Sequence, residues 1–382
     1  MSLRFFYTSN DKDFVTKKFY YLFINIGMMA GLLGPLLPFL AEHSNSTITE
    51  SGFLISAFAT GAIAGSSLLY LKFFSLSYSK LAKLFLLVFI ISILLLPEFK
   101  SYLFQLVVSF VIGLVQGYLN SGGNSAILSI WGKMAAKKIT ISHFSYGLGN
   151  IIIPIIITSS FYFFKSDFIT FLIISLVVFP SIFFNLETKI NSFEASENTK
   201  QLSDNSIYLF YTLFFLYVGL ELTFSGWLST IGIIRDLPSE LAELLPGIFW
   251  FSLTLGRFLL SLLISKFSAN RILTISLFAL ILPFVIIYFD STILLLTSVF
   301  LSGLFLSVIF PTLYTIGNNI YSLEGKRTGN IFIFAGFGGI AIPPFTGYII
   351  DKFGLSYFPV VTISILIIFL VFLLSLRNKF KT

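Results

Sequence analysis

The sequence predicts an all-α membrane protein: twelve transmembrane helices in two pseudo-symmetric six-helix bundles around a central cavity. Three observations predict it. Hydrophobic residues make up 56% of the 382-residue chain and charged residues only 11%, against roughly 25% charged in soluble domains. Apolar runs long enough to cross a bilayer recur along the whole chain. The two halves echo each other at a nearly constant offset.

Taken in order, the predicted spans cover residues 19–41, 52–72, 80–97, 102–131, 139–164, 167–185, 207–233, 243–266, 271–289, 291–321, 328–350 and 356–376. Residues 1–18 form a polar first segment. The apolar run after them is too long for a signal-peptide core and lacks a small-residue cleavage site, so it reads as a retained first span. The sequence PEFKS, Pro97 to Ser101, separates the third and fourth spans, and Asp290 separates the ninth and tenth. Residues 186–206 make a polar linker that divides the chain into a first bundle, 19–185, and a second, 207–376, with a short tail at 377–382.

Basic residues orient the spans. With both termini in the cytoplasm, 19 of the 24 Lys and Arg fall on inner segments or the span ends beside them, as the positive-inside rule requires. The net charge of +7 then belongs to membrane topology, and no nucleic-acid partner is implied. The expected setting is a bacterial plasma membrane, with the lipid bilayer as solvent and the chain as a monomer. There are no cysteines, which excludes disulfides and thiolate chemistry. No Walker loop, helical HExxH or nucleophile signature occurs, so no enzyme, cofactor or metal site is expected. Asn45-Ser46-Thr47 is a glycosylation sequon on the outer side.

The internal repeat has an offset of 190–194. Gly27 and Gly34 match Gly219 and Gly226, Lys72-Phe73 matches Lys266-Phe267, Gly123-Asn124 matches Gly317-Asn318, and Gly149 and Pro154 match Gly339 and Pro344. Parallel halves of this kind are a transporter design in which solute is held between the halves near the midplane.

Four polar features stand out against this apolar background. Gln116, Asn120 and Asn124 follow one another at four-residue spacing in the fourth span and share one helix face. An unpaired amide in hydrocarbon costs several kcal/mol, so these side chains must meet another helix, water or solute. Neutral donors and acceptors suit a neutral polyol, whereas interhelical bonding is the structural alternative. Asn318, the repeat partner of Asn124, joins the candidate binding set. Glu221, mid-span in the seventh segment, is a functional candidate by its depth alone. It could exchange a proton, ligate sodium or pair with Arg257 of the next span. His143, opening the fifth span, is a candidate proton relay. Trp227 is the favoured aromatic for stacking on a sugar ring, with Tyr118, Phe144, Tyr146, Trp250 and Tyr314 as further candidates. Gly61 and Gly65 form a GxxxG pair for close helix packing.

Twelve spans, a six-plus-six division and repeated halves resemble the major facilitator superfamily. Within it, Leu119-Asn120-Ser121-Gly122-Gly123-Asn124, His143-Phe144-Ser145-Tyr146-Gly147-Leu148-Gly149 and the stretch Tyr217 to Trp227 are similar to the fucose-permease and sodium-dependent glucose transporter branch. The chain departs from the superfamily's acidic loop signature between spans two and three, where Gly65 to Leu81 holds no acid. It also has Asn120 where proton-coupled sugar permeases of the branch carry an acid.

The resemblance implies secondary transport of a small polar solute, sugar-like, coupled to H+ or Na+. Gln116, Asn120, Asn124, Trp227 and Asn318 would then hold the solute, with Glu221, Arg257 and His143 coupling the ion. An exporter of amphipathic drugs or lipids is the alternative within the superfamily. A non-transporting receptor or scaffold is the alternative outside it.

Overall fold

A computed structural model describes residues 9–69, 77–186, 206–263, 266–321, 323 and 326–376. The linker at 187–205, Lys72-Phe73 of the repeat and the tail from 377 lie outside these residues, as does most of the loop between the second and third spans.

The predicted spans appear as helices. The first is a bent pair, α1 (Ser9–Gly31) and α2 (Leu33–Ser44), turned by 43°. Then come α3 (Ile48–Leu68), α4 (Tyr78–Leu95), α5 (Tyr102–Trp131), α6 (Ala135–Phe164) and α7 (Asp167–Val178). The second half holds α8 (Ser206–Ile234), α9 (Ser239–Leu263), the broken pair α10 (Ala269–Ala279) and α11 (Ile281–Ile286), and the pair α12 (Thr292–Leu306) and α13 (Ile309–Tyr321). It closes with α14 (Lys326–Phe353) and α15 (Phe358–Ser375). Ten of the resulting stretches are long and apolar enough to cross a bilayer, the bent pair makes an eleventh, and Asp167–Phe183 is a shorter twelfth. That sixth span ends as a 3-10 turn over Phe179–Phe183, because Pro180 lacks the N–H needed to continue an α-helix.

Glycine sets the closeness of the helices. The Gly61 and Gly65 pair in α3 meets a second pair in α5. A β-carbon on Gly65 would stand 1.9 Å from the Leu114 carbonyl, and one on Gly117 would stand 2.0 Å from that of Ala62. In the same way Gly149 of α6 lies against the Ile24 carbonyl of α1, and Gly338 of α14 against the Phe215 carbonyl of α8. The repeat is therefore a repeat of contacts: span one with span five, and span seven with span eleven.

Between the halves, α3 packs on α14, and α6 on α9. We call the membrane side that carries Ser9 and Ser375 the terminal side, and the other the far side. Cross-half bonding concentrates on the far side. Pro344 cannot donate to the Ile340 carbonyl four residues earlier, and Ser56 of the other half donates to that carbonyl at 2.6 Å. Thr49 donates to Asp351 at 2.6 Å. Gly52 lies against Pro344 and Gly247 against Pro154, two Gly–Pro contacts related by the repeat. On the terminal side Lys138 bonds Asp13 at 2.6 Å, but both belong to the first half. Among the described residues the cross-half hydrogen bonds, Ser56 to Ile340 and Thr49 to Asp351, thus lie toward the far side.

Candidate functional site

At mid-depth between the halves lies a polar cluster. Glu221 sits at the centre of α8, one turn beyond Tyr217 on the same face. Arg257 reaches it from α9, with Nη2 3.7 Å from Oε1. The Glu221 side chain is 11% exposed and that of Arg257 41%. The Tyr217 hydroxyl faces both groups without a formed hydrogen bond. A buried charge needs a partner, and a phenol at its side adds a donor and an acceptor.

The first half supplies the opposite wall. Tyr146 of α6 lies beside Gln116 of α5 and Asn150 one turn further along α6, and it lies within electrostatic range of both Glu221 and Arg257. Asn150 donates to the Tyr146 carbonyl at 3.0 Å. Its Oδ1 is buried with no hydrogen-bond partner and faces Gly31, where a β-carbon would come within 2.9 Å. Asn150 therefore has acceptor capacity left over, as does Tyr217, in a region where a lone polar atom is costly. His143, two turns nearer the terminal side than Asn150, is exposed, packs edge-on to Phe23 and lies within electrostatic range of Arg257.

Beyond Glu221, toward the far side, lies a cavity of about 20 Å³ lined by Gly31, Gly34, Ile55, Leu222, Gly226 and Trp250 among others. That is room for a single water. Gly34 closes it against the Ser225 carbonyl, 2.4 Å from an added β-carbon.

The structure brings Gln116, Glu221, Arg257 and His143 together and places the other four candidates elsewhere. Asn124 donates to the Asn120 carbonyl at 3.0 Å and to its side-chain oxygen at 3.2 Å, so those two amides bond each other along α5 toward the terminal side. Asn318 is exposed near the end of α13, where its Oδ1 accepts from the Leu323 backbone at 3.1 Å. Trp227 is fully buried in the far-side joint between Gly52 and Gly347, and its indole N–H donates to the Pro343 carbonyl at 3.0 Å.

Two members of the cluster, Asn150 and Tyr217, were not singled out from the sequence. Each stands four residues from a polar residue already marked, Asn150 from Tyr146 and Tyr217 from Glu221, and that spacing was the available signal. Among the described residues no three His, Asp or Glu side chains converge as a metal ion would need.

Known proteins resemble the chain over nearly its whole length. The profile of the Major Facilitator Superfamily matches residues 20–326 and 237–381. A sodium-dependent glucose transporter 1 from Xenopus laevis is 24% identical over 365 residues, covering 85% of this chain and 74% of that protein. The glucose/mannose transporter GlcP of Bacillus subtilis is 24% identical over 358 residues, 87% of each chain. Among solved structures, the nucleoside transporter NupG superposes with a TM-score of 0.75 at 14% identity, over 96% of this chain and all of that one. The E. coli fucose:proton symporter FucP superposes with a TM-score of 0.60 at 18% identity, over 96% and 99%. With a matching profile, twelve apolar segments and a cavity between repeated halves, this chain belongs to the major facilitator superfamily, a family of non-enzymatic membrane carriers.

Proposed function

We propose that the protein is a secondary transporter of a small uncharged polar solute, a sugar or sugar-like molecule, working by alternating access with H+ or Na+ as the coupling ion. The observation that carries this reading is the mid-depth cluster between the halves, with the cross-half hydrogen bonds on its far side. Its two charges cancel, and Gln116, Tyr146, Asn150 and Tyr217 surround them with neutral donors and acceptors. Such a set suits hydroxyl groups better than a charged solute. The relatives that transport glucose or mannose support the same solute class.

In the proposed cycle the terminal side is cytoplasmic, as the basic residues indicate, and the structure is the inward-open state. Solute bonds Asn150, Gln116 and the two tyrosines. Glu221 exchanges its ion as its exposure changes, and Arg257 holds the empty carboxylate. Parting of Ser56 from Ile340 and of Thr49 from Asp351 opens the far side. The protein acts as a monomer in a bacterial plasma membrane.

The test uses protein purified into liposomes. Uptake of labelled glucose or mannose is measured under an imposed pH gradient, a sodium gradient or neither, beside a thermal-shift screen of sugars, amino acids and hydrophobic cations. A ligand that binds the folded state raises its stability by mass action. Gradient-driven sugar uptake supports the reading. Stabilisation by hydrophobic cations alone sinks it and favours an amphipath exporter.

A further inference from the structure

We propose that a second site, on the far side and separate from the central cluster, binds the head group of a zwitterionic aminophospholipid. Its ammonium would sit between Glu240 and Glu243, and its phosphate at Lys165. The site is a cavity of about 440 Å³ where the end of α6 meets the start of α9, lined by Thr158, Phe161, Tyr162, Phe163, Lys165, Ser239, Glu240 and Glu243. That is within the size range of small-molecule pockets.

Three charges surround this space, and none is in an ion pair. The pairs formed among the described residues are Lys138 with Asp13 and Arg257 with Glu221. Thr158 is only 7% exposed and its hydroxyl faces Glu243 without a formed hydrogen bond. The site therefore offers two acidic side chains, Glu240 with a long contact from Ser239 at 3.5 Å and Glu243, together with one ammonium and a buried hydroxyl beside Glu243. A ligand with a hydrogen-bonding cation at one end and an anion at the other meets all of them.

The aromatic lining points to a lipid as the source. Tyr162 and Phe163 are 58% and 73% exposed and stand in the last turn of a span, the level at which aromatic side chains meet head groups. Their faces favour an adjacent cation and extend the pocket toward the acyl region. A soluble zwitterion would leave that apolar surface uncovered.

The position has a consequence for the carrier. Lys165 belongs to the first half and the glutamates to the second, just beyond the contact of Gly247 with Pro154. A head group held by both halves favours the joined far side. Parting of the halves there would separate the anion's partner from the cation's.

The experiment titrates purified full-length protein with phosphatidylethanolamine and with phosphatidylcholine of identical acyl chains, reading retained lipid by native mass spectrometry. Choline cannot donate a hydrogen bond, so phosphatidylethanolamine is expected to bind about tenfold tighter, the worth of one charge-assisted bond. The double variant Glu240→Gln/Glu243→Gln is expected to abolish the preference. Lys165→Gln should weaken both lipids alike. Glu221→Gln should leave the preference intact, which separates this site from the transport site. Equal binding of the two lipids by the unmodified protein would overturn the proposal, as would a preference that survives the double variant. Equally strong competition by soluble phosphoethanolamine would overturn the lipid assignment.

Discussion

The carboxylate of Glu221 and the guanidinium of Arg257 lie 3.7 Å apart, the first side chain buried and the second partly exposed. The pair is therefore asymmetric: the side chain of the cation is less enclosed by protein than that of the anion. Replacing Glu221 by Gln keeps the shape and removes the exchangeable charge. Arg257 is partly exposed and keeps Tyr217 beside it, so the protein should still fold. Gradient-driven accumulation should fall to the level of passive equilibration, while exchange of labelled for unlabelled solute persists. Counterflow in liposomes separates the two, and accumulation at the unmodified rate would remove Glu221 from the coupling step.

Two glycines related by the repeat give opposite expectations. A β-carbon on Gly52 would lie 2.7 Å from the Pro344 backbone, whereas one on Gly247 would meet Pro154 at an ordinary 3.4 Å. Gly52→Ala should destabilise the far-side joint by about 1–3 kcal/mol through overpacking. Gly247→Ala should be neutral or stabilising by up to about 1 kcal/mol, since alanine is the better helix former. Thermal unfolding of both variants in one detergent tests the sign of each.

Trp227→Phe removes the indole N–H that bonds the Pro343 carbonyl and leaves a small void at the joint. The cost should be about 1–3 kcal/mol of stability. Solute affinity should change by less than a factor of about two, because less than 0.5 kcal/mol would then separate the two proteins at the site. A large loss of affinity with unchanged stability would return Trp227 to the solute site.

Asn150→Ala and Tyr146→Phe each remove a polar group from the cluster. Solute affinity should weaken about tenfold for each, one lost hydrogen bond at roughly 1.4 kcal/mol. Asn318→Ala should leave affinity unchanged, because its side chain holds the Leu323 backbone. Ligand-induced thermal shifts at graded solute concentrations measure all three.

Much of the fold was legible because apolar length is a one-dimensional property. A run of about twenty apolar residues reports a span whatever it packs against. Breaks inside spans were less legible. Pro180 announces the end of α7, and Pro311, four residues past Ser307, marks the turn between α12 and α13 at Ser307 and Val308 only indirectly, since prolines such as Pro154 also sit inside unbroken helices. The site was legible where a charge made burial expensive, hence Glu221 and Arg257. Amides gave a weaker signal, because an amide N–H can find its acceptor within its own helix, as that of Asn124 does at Asn120. Trp227 stood beside the polar part of α8 in sequence, yet the helix turns its ring into the joint. No spacing rule reveals which of two neighbouring faces meets the other half. Tyr217 and Asn150 gain their meaning from partners more than 30 residues away, such as Arg257 and Gly31.

The bend between Gly31 and Leu33 divides the first span between two bodies. Below it, α1 packs on α6 of its own half; above it, α2 leans on α8 and α9 of the other. Covalent order assigns the whole span to the first bundle, but its upper third shares a surface with the second. If the bundles pivot, that upper third must either slide along α8 or travel with it, and the 43° corner at Leu32 is where the span can flex. The seam between the bundles therefore runs through the first span at Leu32, next to Gly31, and on the proposed cycle a solute bonded to Asn150, which faces Gly31, would act beside that corner.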